Sequence, residues 1–226
     1  QDKIQGFEQK VEQTHKESID YHAALRQQIL GLSEMNAQMS KETLNLTKAL
    51  KGDSKMQGNW GELVLERVLE KSGLEKGREY EVQQSFTNTD GAKVFPDVVI
   101  NLPDGKKMIV DSKVSLVAYE KWINEDSDIL KIDFLREHVN SIKRHVEQLG
   151  NKNYQDLYQI ESPDFVLLFI PIEPAFAIAL NEDSTLYNRA FDRNIVIVTP
   201  TTLLATLRTI DSMWSNQKQQ EHAFEI

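Results

Sequence analysis

The sequence predicts a mixed α/β domain with a central β-sheet, preceded by a long N-terminal helix. Residues 165–172 form a continuous apolar run, which is typical of a strand buried on both faces, and residues 194–198 repeat the pattern. Residues 94–102 and 106–116 are apolar runs on either side of the turn signal Pro103-Asp104-Gly105. This arrangement predicts a β-hairpin in the middle of the sheet.

The N-terminal segment, residues 1–56, is predicted to form a coiled coil, and residues 58–226 the α/β domain. Apolar residues recur every seven positions in this segment, so we expect a homo-oligomer held together by the helix. The alternative is an amphipathic helix folded back on its own domain. The seam consists of Ile4, Val11, Ser18, Leu25, Leu32, Met39 and Leu46.

The remaining elements follow from periodicity and from turn residues. Apolar and charged residues mixed at a spacing of three and four predict helices that cover the sheet. Asn59 and Thr201 precede two of these helices and are expected to cap them. The other predicted elements are helices over residues 59–69, 116–149 and 175–193, a strand over residues 80–86, and a terminal helix from Thr201.

Composition excludes several classes of function. The chain has no cysteine, so disulfides, thiolate zinc sites and thiol nucleophiles are excluded. No phosphate-binding glycine loop, zinc helix motif or serine nucleophile elbow is present, which argues against ATP hydrolysis and protease chemistry. The net charge of −9 comes entirely from residues 58–226, which carry 18 basic and 27 acidic side chains. A broad basic face for polyanions is therefore not expected.

The N-terminus and the lengths of the apolar runs bear on whether the protein reaches a membrane. It begins with Gln rather than Met, so we expect a fragment whose membrane anchor, if it has one, lies upstream. No apolar run is long enough to span a bilayer. We accordingly expect the protein on the cytoplasmic side, with the membrane reached only through a segment outside this sequence.

The hairpin is predicted to bring two carboxylates together. If its strands pair symmetrically about Asp104, Asp97 lies directly opposite Asp111 on one sheet face, and alternation puts Lys113 on that face as well. A bulge at Gly105 would shift this register by one residue. Two carboxylates at this distance repel each other unless a raised pKa, the Lys113 ammonium or a divalent metal ion compensates them.

Glu62 is a further candidate for the same site. It lies in the first turns of the helix that precedes the sheet and follows Trp60-Gly61, where the small glycine permits close approach. A solvated acid stabilised by the helix dipole is the plainer interpretation of Glu62 alone. Glu173 follows a buried strand, but an acid at the start of a helix has the same electrostatic explanation, so it is not included in the predicted site.

Four segments in this order resemble the RmuC family of bacterial DNA recombination proteins, and the preceding helix is similar to the coiled-coil segment of that family. The resemblance covers nearly all of residues 58–214. The bare Asp-x-Lys tripeptide is common, whereas the four segments together are specific. They are Gly58-Asn59-Trp60-Gly61-Glu62, Pro96-Asp97 to Asp111-Ser112-Lys113, residues 169–176, and residues 199–203 through 209–214.

The resemblance implies a restriction-endonuclease-like fold with the PD-(D/E)xK nuclease core and a role in DNA recombination or in processing unusual DNA structures. The four polar positions of that core carry over onto Glu62, Asp97, Asp111 and Lys113. No small-molecule cofactor is implied. DNA is the implied partner, and Mg²⁺ or Mn²⁺ the implied metal.

These residues predict metal-dependent phosphodiester hydrolysis. Asp97 and Asp111 would bind Mg²⁺, Glu62 would bind the same or a second ion, and Lys113 would orient the attacking water or stabilise the transition-state charge. The alternative for the three hairpin residues is a buried ion pair with a spare acid. The alternative function is a non-cleaving oligomeric scaffold that binds branched or single-stranded DNA or a protein partner.

Overall fold

The fold is taken from a computed structural model, which describes residues 54–83, 85–87, 93–112, 115–152, 154 and 165–224. The predicted coiled coil of residues 1–56 lies almost wholly outside the described residues, and so does Lys113. The helices are α1 (Ser54–Ser72), α2 (Val117–Asn124), α3 (Asp128–Asn151), α4 (Glu173–Glu182), α5 (Leu186–Phe191) and α6 (Pro200–Phe224). The strands are β1 (Tyr80–Val82), β2 (Phe86–Thr87), β3 (Lys93–Val94), β4 (Val98–Asn101), β5 (Lys107–Asp111), β6 (Val166–Phe169) and β7 (Ile195–Val198).

The central sheet has five strands in the order β1-β4-β5-β6-β7. Strands β1, β4 and β5 pair antiparallel, whereas β5, β6 and β7 pair parallel. Strands β2 and β3 form a separate two-stranded sheet. The predicted mixed α/β class is therefore confirmed, and the predicted strand over residues 80–86 is corrected to two short strands that belong to different sheets.

The β4–β5 hairpin has the predicted register. Val98 pairs with Val110 and Asn101 with Lys107, so each pair is symmetric about Asp104. The Leu102 N–H donates to the carbonyl of Lys106 at 2.8 Å and closes the turn. Gly105 adopts a φ of +84°, a conformation that glycine takes without steric cost, and it does so inside the turn rather than as a bulge in the ladder.

One face of the sheet is covered by α3. Val139, Ile142, Val146 and Leu149 are all buried and pack in one cluster with sheet residues that include Ile109. These four residues step by three and four along the helix, so the prediction of at least one helix that covers the sheet is confirmed, and residues 117–151 form two helices. The face is apolar throughout its centre, and its polar side chains lie at the end of the sheet.

Helices α1 and α6 pack along each other. Polar groups also tie α6 to the sheet, since Trp214 Nε1 donates to the Asn101 carbonyl of β4 at 3.1 Å and Lys218 Nζ lies 3.0 Å from the buried Glu79, just before β1. Leu65 and Leu69 of α1 are buried beside Val98 of β4. The side of the sheet opposite α3 is thus covered by this helix pair.

The two predicted helix caps are wrong. Helix α1 begins at Ser54, so Asn59 lies inside it. Helix α6 begins at Pro200, one residue before Thr201, because the Thr199 carbonyl accepts the Leu203 N–H at 2.8 Å and the Thr199 N–H is bound by the Thr202 hydroxyl at 2.8 Å. Proline at the first helical position loses no hydrogen bond, which explains this start. The helix predicted over residues 175–193 is two helices, α4 and α5.

Among the described residues, no helix combines the length and the apolar character needed to cross a membrane.

Candidate active site

The site is built on the two central strands at the end of the sheet away from the hairpin turn. Strand β4 begins at Val98, which pairs with Val110, and one further step in the same register leads to Asp97 and Asp111. Directly opposed side chains on neighbouring strands have β-carbons about 5 Å apart. The Asp97 carboxylate also accepts the backbone N–H of Ser112, the residue directly after Asp111, at 2.7 Å, which places it beside the end of β5.

The Asp97 side chain is oriented by Ser112, the residue that follows Asp111. Its Oδ2 accepts the backbone N–H of Ser112 at 2.7 Å and the Ser112 hydroxyl at 3.0 Å. Two donors on one carboxylate oxygen stabilise the charged form and fix the rotamer of the side chain. Asp97 is half-buried, so this carboxylate is held in place at the edge of the sheet while it remains reachable from solvent.

Asp111 is 3% exposed and is bound by two residues from the end of α3. Lys152 Nζ lies 2.7 Å from Asp111 Oδ2, and the Tyr154 hydroxyl donates to the same oxygen at 3.3 Å. Lys152 Nζ and the Tyr154 oxygen are themselves 3.3 Å apart. Burial and the negative charge of Asp111 raise the pKa of Tyr154, so this hydroxyl stays a donor at neutral pH.

Lys152 and Tyr154 were missed by the sequence reasoning as members of this site. A signal for Lys152 was available, because it lies three positions after Leu149 and so continues the buried stripe of α3 towards the end of the sheet. Tyr154 lies beyond α3, where no sequence pattern links it to Asp111. It is buried, and its polar end faces Asp111.

His145, near the C-terminal end of α3, has an uncharged imidazole ring. The Ser115 backbone N–H donates to His145 Nε2 at 3.1 Å, which requires that this nitrogen carries no proton. Burial lowers the pKa of His145, and the charges of Arg144 and Lys152 act in the same direction against that of Asp111. The ring therefore adds no positive charge to the site at neutral pH.

Glu62 shares a cleft with Asp97 and not with Asp111. The cleft has a volume of about 330 Å³ and lies between α1 and the strands β1 and β4. Glu62 is exposed on its wall, while Asp97 reaches it from the strand end. The structure thus brings Glu62 together with Asp97, and Asp97 together with Asp111, whereas Lys113 lies outside the described residues.

The four sequence segments quoted above meet at this end of the sheet. A side chain at Gly61 would contact Pro171 after β6 at 3.5 Å, and Trp60 packs in the cluster that contains Ile172. Glu173, at the start of α4, accepts one hydroxyl hydrogen bond from Thr199 and one from Thr201, each at 3.0 Å. The carboxyl ends of parallel strands are where open α/β sheets bind ligands. Glu173 thus joins β6 to β7 and is not among the acids of the cleft.

The donor set of this site fits Mg²⁺ or Mn²⁺ in part. Among the residues that the structure describes, no three His, Cys, Asp or Glu side chains are grouped so as to hold an ion by themselves. Magnesium, however, is commonly held by one or two carboxylates together with waters and substrate phosphates. Asp97 and Asp111 supply two such carboxylates, and Lys152 already compensates one of them.

A larger cleft, of about 460 Å³, lies between α3 and α5 and contains none of the predicted site residues. It brings together the basic side chains of Lys143, Arg189 and Arg193. Glu147 and Asp192 line the same cleft, and Lys143 is paired with Asp183 at 2.5 Å. Because the acids offset the bases, this cleft has no marked preference for an anion.

These observations define a class: a mixed α/β domain with two opposed carboxylates at the end of its central hairpin. The whole chain, residues 1–226, matches the RmuC family, and the chain belongs to that family. It is 50% identical over 225 residues to the DNA recombination protein RmuC homolog of Pseudomonas aeruginosa, covering 100% of this chain and 49% of the relative.

Two further relatives agree. Identity to the DNA recombination protein RmuC homolog of Vibrio cholerae is 45% over 222 residues, covering 98% of this chain and 43% of the relative. Identity to the DNA recombination protein RmuC of Escherichia coli is 44% over 225 residues, covering 100% and 47%. The chain thus spans about half the length of the curated relatives it matches. The comparison with solved structures gave no significant match.

Proposed function

We propose that this chain is the nuclease domain of a DNA recombination protein and cleaves phosphodiester bonds with Mg²⁺ or Mn²⁺ on a PD-(D/E)xK core. The observation that carries the proposal is the hairpin register, in which Val98 pairs with Val110 and one further step leads to Asp97 and Asp111, together with the hydrogen bond from the Ser112 N–H to Asp97. The family membership and the printed names of the relatives, DNA recombination proteins, support the choice of DNA as substrate.

The residues have separate roles in this proposal. Asp97 and Asp111 hold the ion, and Glu62 faces Asp97 across the cleft and binds the same or a second ion. When bound, the ion lowers the pKa of a water and neutralises charge on the phosphoryl oxygens. Ser112 keeps the Asp97 carboxylate in one orientation. Lys113 orients the water or stabilises transition-state charge, as the resemblance implies.

A second function is favoured by the Lys152–Asp111 ion pair. A carboxylate that already has an ammonium 2.7 Å away does not need a metal ion to be tolerated in the fold. In that case the domain is a non-cleaving oligomeric scaffold that binds branched or single-stranded DNA or a protein partner. The net charge of −9 agrees with weak binding to bulk duplex under either function.

Two measurements separate these functions. We expect Mn²⁺ to bind the wild type in calorimetric titration and to bind Asp97→Asn and Asp111→Asn much more weakly. Asp104→Asn is the matched control, because it removes a carboxylate from the exposed turn of the same hairpin. Nicking of labelled single-stranded and branched DNA should require Mg²⁺ or Mn²⁺ and should disappear in Asp111→Asn and in Lys113→Ala.

The nuclease proposal is wrong if wild type, Asp111→Asn and Lys113→Ala leave these substrates equally intact or cut them equally. DNA binding that is unchanged in chelator, without nicking, would support the scaffold. Homo-oligomerisation through residues 1–56 and a position on the cytoplasmic side, with any membrane contact through a segment upstream, stay predictions from the sequence. Sedimentation of the protein as a monomer would contradict the first of these.

A further inference from the structure

The cleft that Glu62 and Asp97 share has apolar walls that are open to solvent. Leu63 is 44% exposed and Val82 is 40% exposed, and both line it. Its floor is closed by the buried side chains of Leu65, Leu69 and Val98. Large apolar side chains that remain exposed around a preformed cleft are typical of a binding site for a flat or apolar group.

The rim of the cleft is polar and acidic. Glu62, Glu66 and Asp97 contribute carboxylates, and Asn59 and Gln83 contribute amides. Such a rim accepts hydrogen bonds from N–H groups and repels any phosphate that no metal ion neutralises. The occupant that fits is therefore a group with apolar faces and N–H donors on its edge.

Gln83 joins this cleft to the acid pair. Its φ is +54°, a conformation that residues other than glycine rarely adopt, and its backbone N–H donates to the Asp97 carbonyl at 3.0 Å. Backbone strain of this kind persists where the surrounding structure imposes it. This hydrogen bond fixes the wall that contains Val82 and Gln83 to the backbone of Asp97, one of the predicted metal ligands.

We propose that this cleft binds one unpaired nucleobase of the DNA strand, next to the phosphate that lies at Asp97 and Asp111. The inference rests on the proposed function for the position of that phosphate. Leu63 and Val82 contact the faces of the base, and the carboxylates and amides of the rim receive the amino group on its edge. A paired and stacked base has neither its faces nor its Watson–Crick edge available, so the cleft selects single-stranded segments or the unpaired positions of branched DNA.

Binding is measured with Ca²⁺ in place of Mg²⁺ and again in chelator, so that cleavage does not interfere. The probes are fluorescent single-stranded oligodeoxycytidylate, oligodeoxythymidylate and a blunt duplex of equal length. We expect oligodeoxycytidylate to bind about fivefold more tightly than oligodeoxythymidylate, because cytosine presents an amino group and thymine does not. The duplex should bind more weakly than either.

Leu63→Gln should weaken binding of oligodeoxycytidylate about fivefold, since it replaces an apolar contact to one face of the base with a polar side chain. Leu130→Gln is the matched control: Leu130 is also on a helix, is 45% exposed and lies outside the cleft. It should change binding by less than twofold. Val82→Thr is a second variant of nearly unchanged shape, and it should weaken binding in the same direction with an unchanged midpoint of thermal unfolding.

The inference is overturned if Leu63→Gln and Val82→Thr bind all three probes as the wild type does, or if Leu130→Gln weakens binding equally. Tighter binding of a basic peptide than of any oligonucleotide, lost in Leu63→Gln, would assign the cleft to a protein partner and would also overturn it. Failure of the proposed function is separate: wild type would then bind oligodeoxycytidylate through Leu63 but cleave no DNA with Mg²⁺. If Leu63→Gln cleaves and binds DNA as the wild type does, the inference about the cleft is wrong and the proposed function is unaffected.

Discussion

Lys152 Nζ lies 2.7 Å from Asp111 Oδ2, so a carboxylate in the interior of the domain obtains a counter-ion from a residue 41 positions further along the chain. The side chain of Asp111 is 4% exposed and that of Lys152 is 34% exposed. Water therefore reaches the ammonium but hardly reaches the carboxylate. This asymmetry determines what loss of either partner would do.

We expect Lys152→Met to reduce the free energy of unfolding by about 2 kcal/mol. Removing one partner of a fully buried pair costs about 3–5 kcal/mol, and the exposure of Lys152 together with the Tyr154 hydroxyl reduces that effect. Urea denaturation checks this. Lys106→Met is the control, since Lys106 and Asp104 are each 53% exposed and 3.7 Å apart, and such pairs contribute about 0–1 kcal/mol. Equal losses in both variants would contradict a special role for Lys152.

The Ser112 hydroxyl is expected to hold Asp97 in its orientation. Ser112→Ala removes the 3.0 Å bond to Asp97 Oδ2 and leaves the 2.7 Å bond from the backbone N–H. A hydrogen bond to a charged group contributes about 1.5–3 kcal/mol, so we expect a loss of about 1.5 kcal/mol in unfolding free energy, measured in urea.

Ser212→Ala is the matched control for Ser112→Ala. Ser212 is exposed on α6 and its hydroxyl donates to the Arg208 carbonyl, four residues earlier. Alanine is a better helix former than serine there, so stability should stay constant or rise slightly. A loss at Ser212 as large as that at Ser112 would show that the effect at Ser112 does not come from Asp97.

The hairpin register was predictable because it is local. The turn at residues 103–105 and two strands of equal length decide which residues face each other, and the ladder pairs from Asn101–Lys107 to Val98–Val110 are symmetric about Asp104 as expected. The buried apolar stripe on α3 was predictable for a similar reason, because its residues recur every three or four positions within one helix.

The partners of Asp111 could not be predicted in the same way. Lys152 and Tyr154 lie 41 and 43 residues away from it, and their positions depend on how α3 packs on the sheet. The predictions of the two helix caps were wrong for another reason. Asn59 has the right chemistry for a cap, but α1 continues five residues further towards the N-terminus, and tertiary packing outweighs such local preferences.

His138 offers a test of the core beneath α4. It is fully buried, its Nε2 lies 2.9 Å from the Ala175 carbonyl, and within the described part of the chain its Nδ1 has no hydrogen-bond partner. Burial lowers the pKa of His138 below the ordinary 6.5, against the opposing effect of the Ala175 carbonyl. We expect its ring protons to titrate below about pH 6.5 in an NMR titration of the folded protein.

The consequence for stability has a definite sign. A histidine whose pKa is lowered by folding binds its proton more readily in the unfolded chain. Its contribution to stability is therefore complete above about pH 6.5 and declines as the pH falls towards the folded pKa. A ring that titrates at or above its ordinary value would show that the site is hydrated or that the imidazolium is paired.

Asp183 should make the domain acid-sensitive through its contact with Lys143. Hydrogen bonds from the Lys143 ammonium and from the hydroxyl and backbone N–H of Thr185 lower the pKa of Asp183 from 3.8. For a carboxylate with a lowered pKa, the stabilisation is present above the unfolded value and is lost as the pH falls through the folded value. We expect Asp183→Asn to be less stable than wild type at neutral pH and the difference to shrink below about pH 4.

Thermal unfolding between about pH 7 and about pH 2 measures this difference. Asp133→Asn is the control, because Asp133 and Arg136 lie 3.7 Å apart with side chains 61% and 66% exposed, and solvent screens such pairs. Its stability should follow that of wild type at every pH. If Asp183→Asn also follows wild type across the whole range, the Lys143–Asp183 contact, and with it the balance of charge in the cleft between α3 and α5, is not maintained in solution.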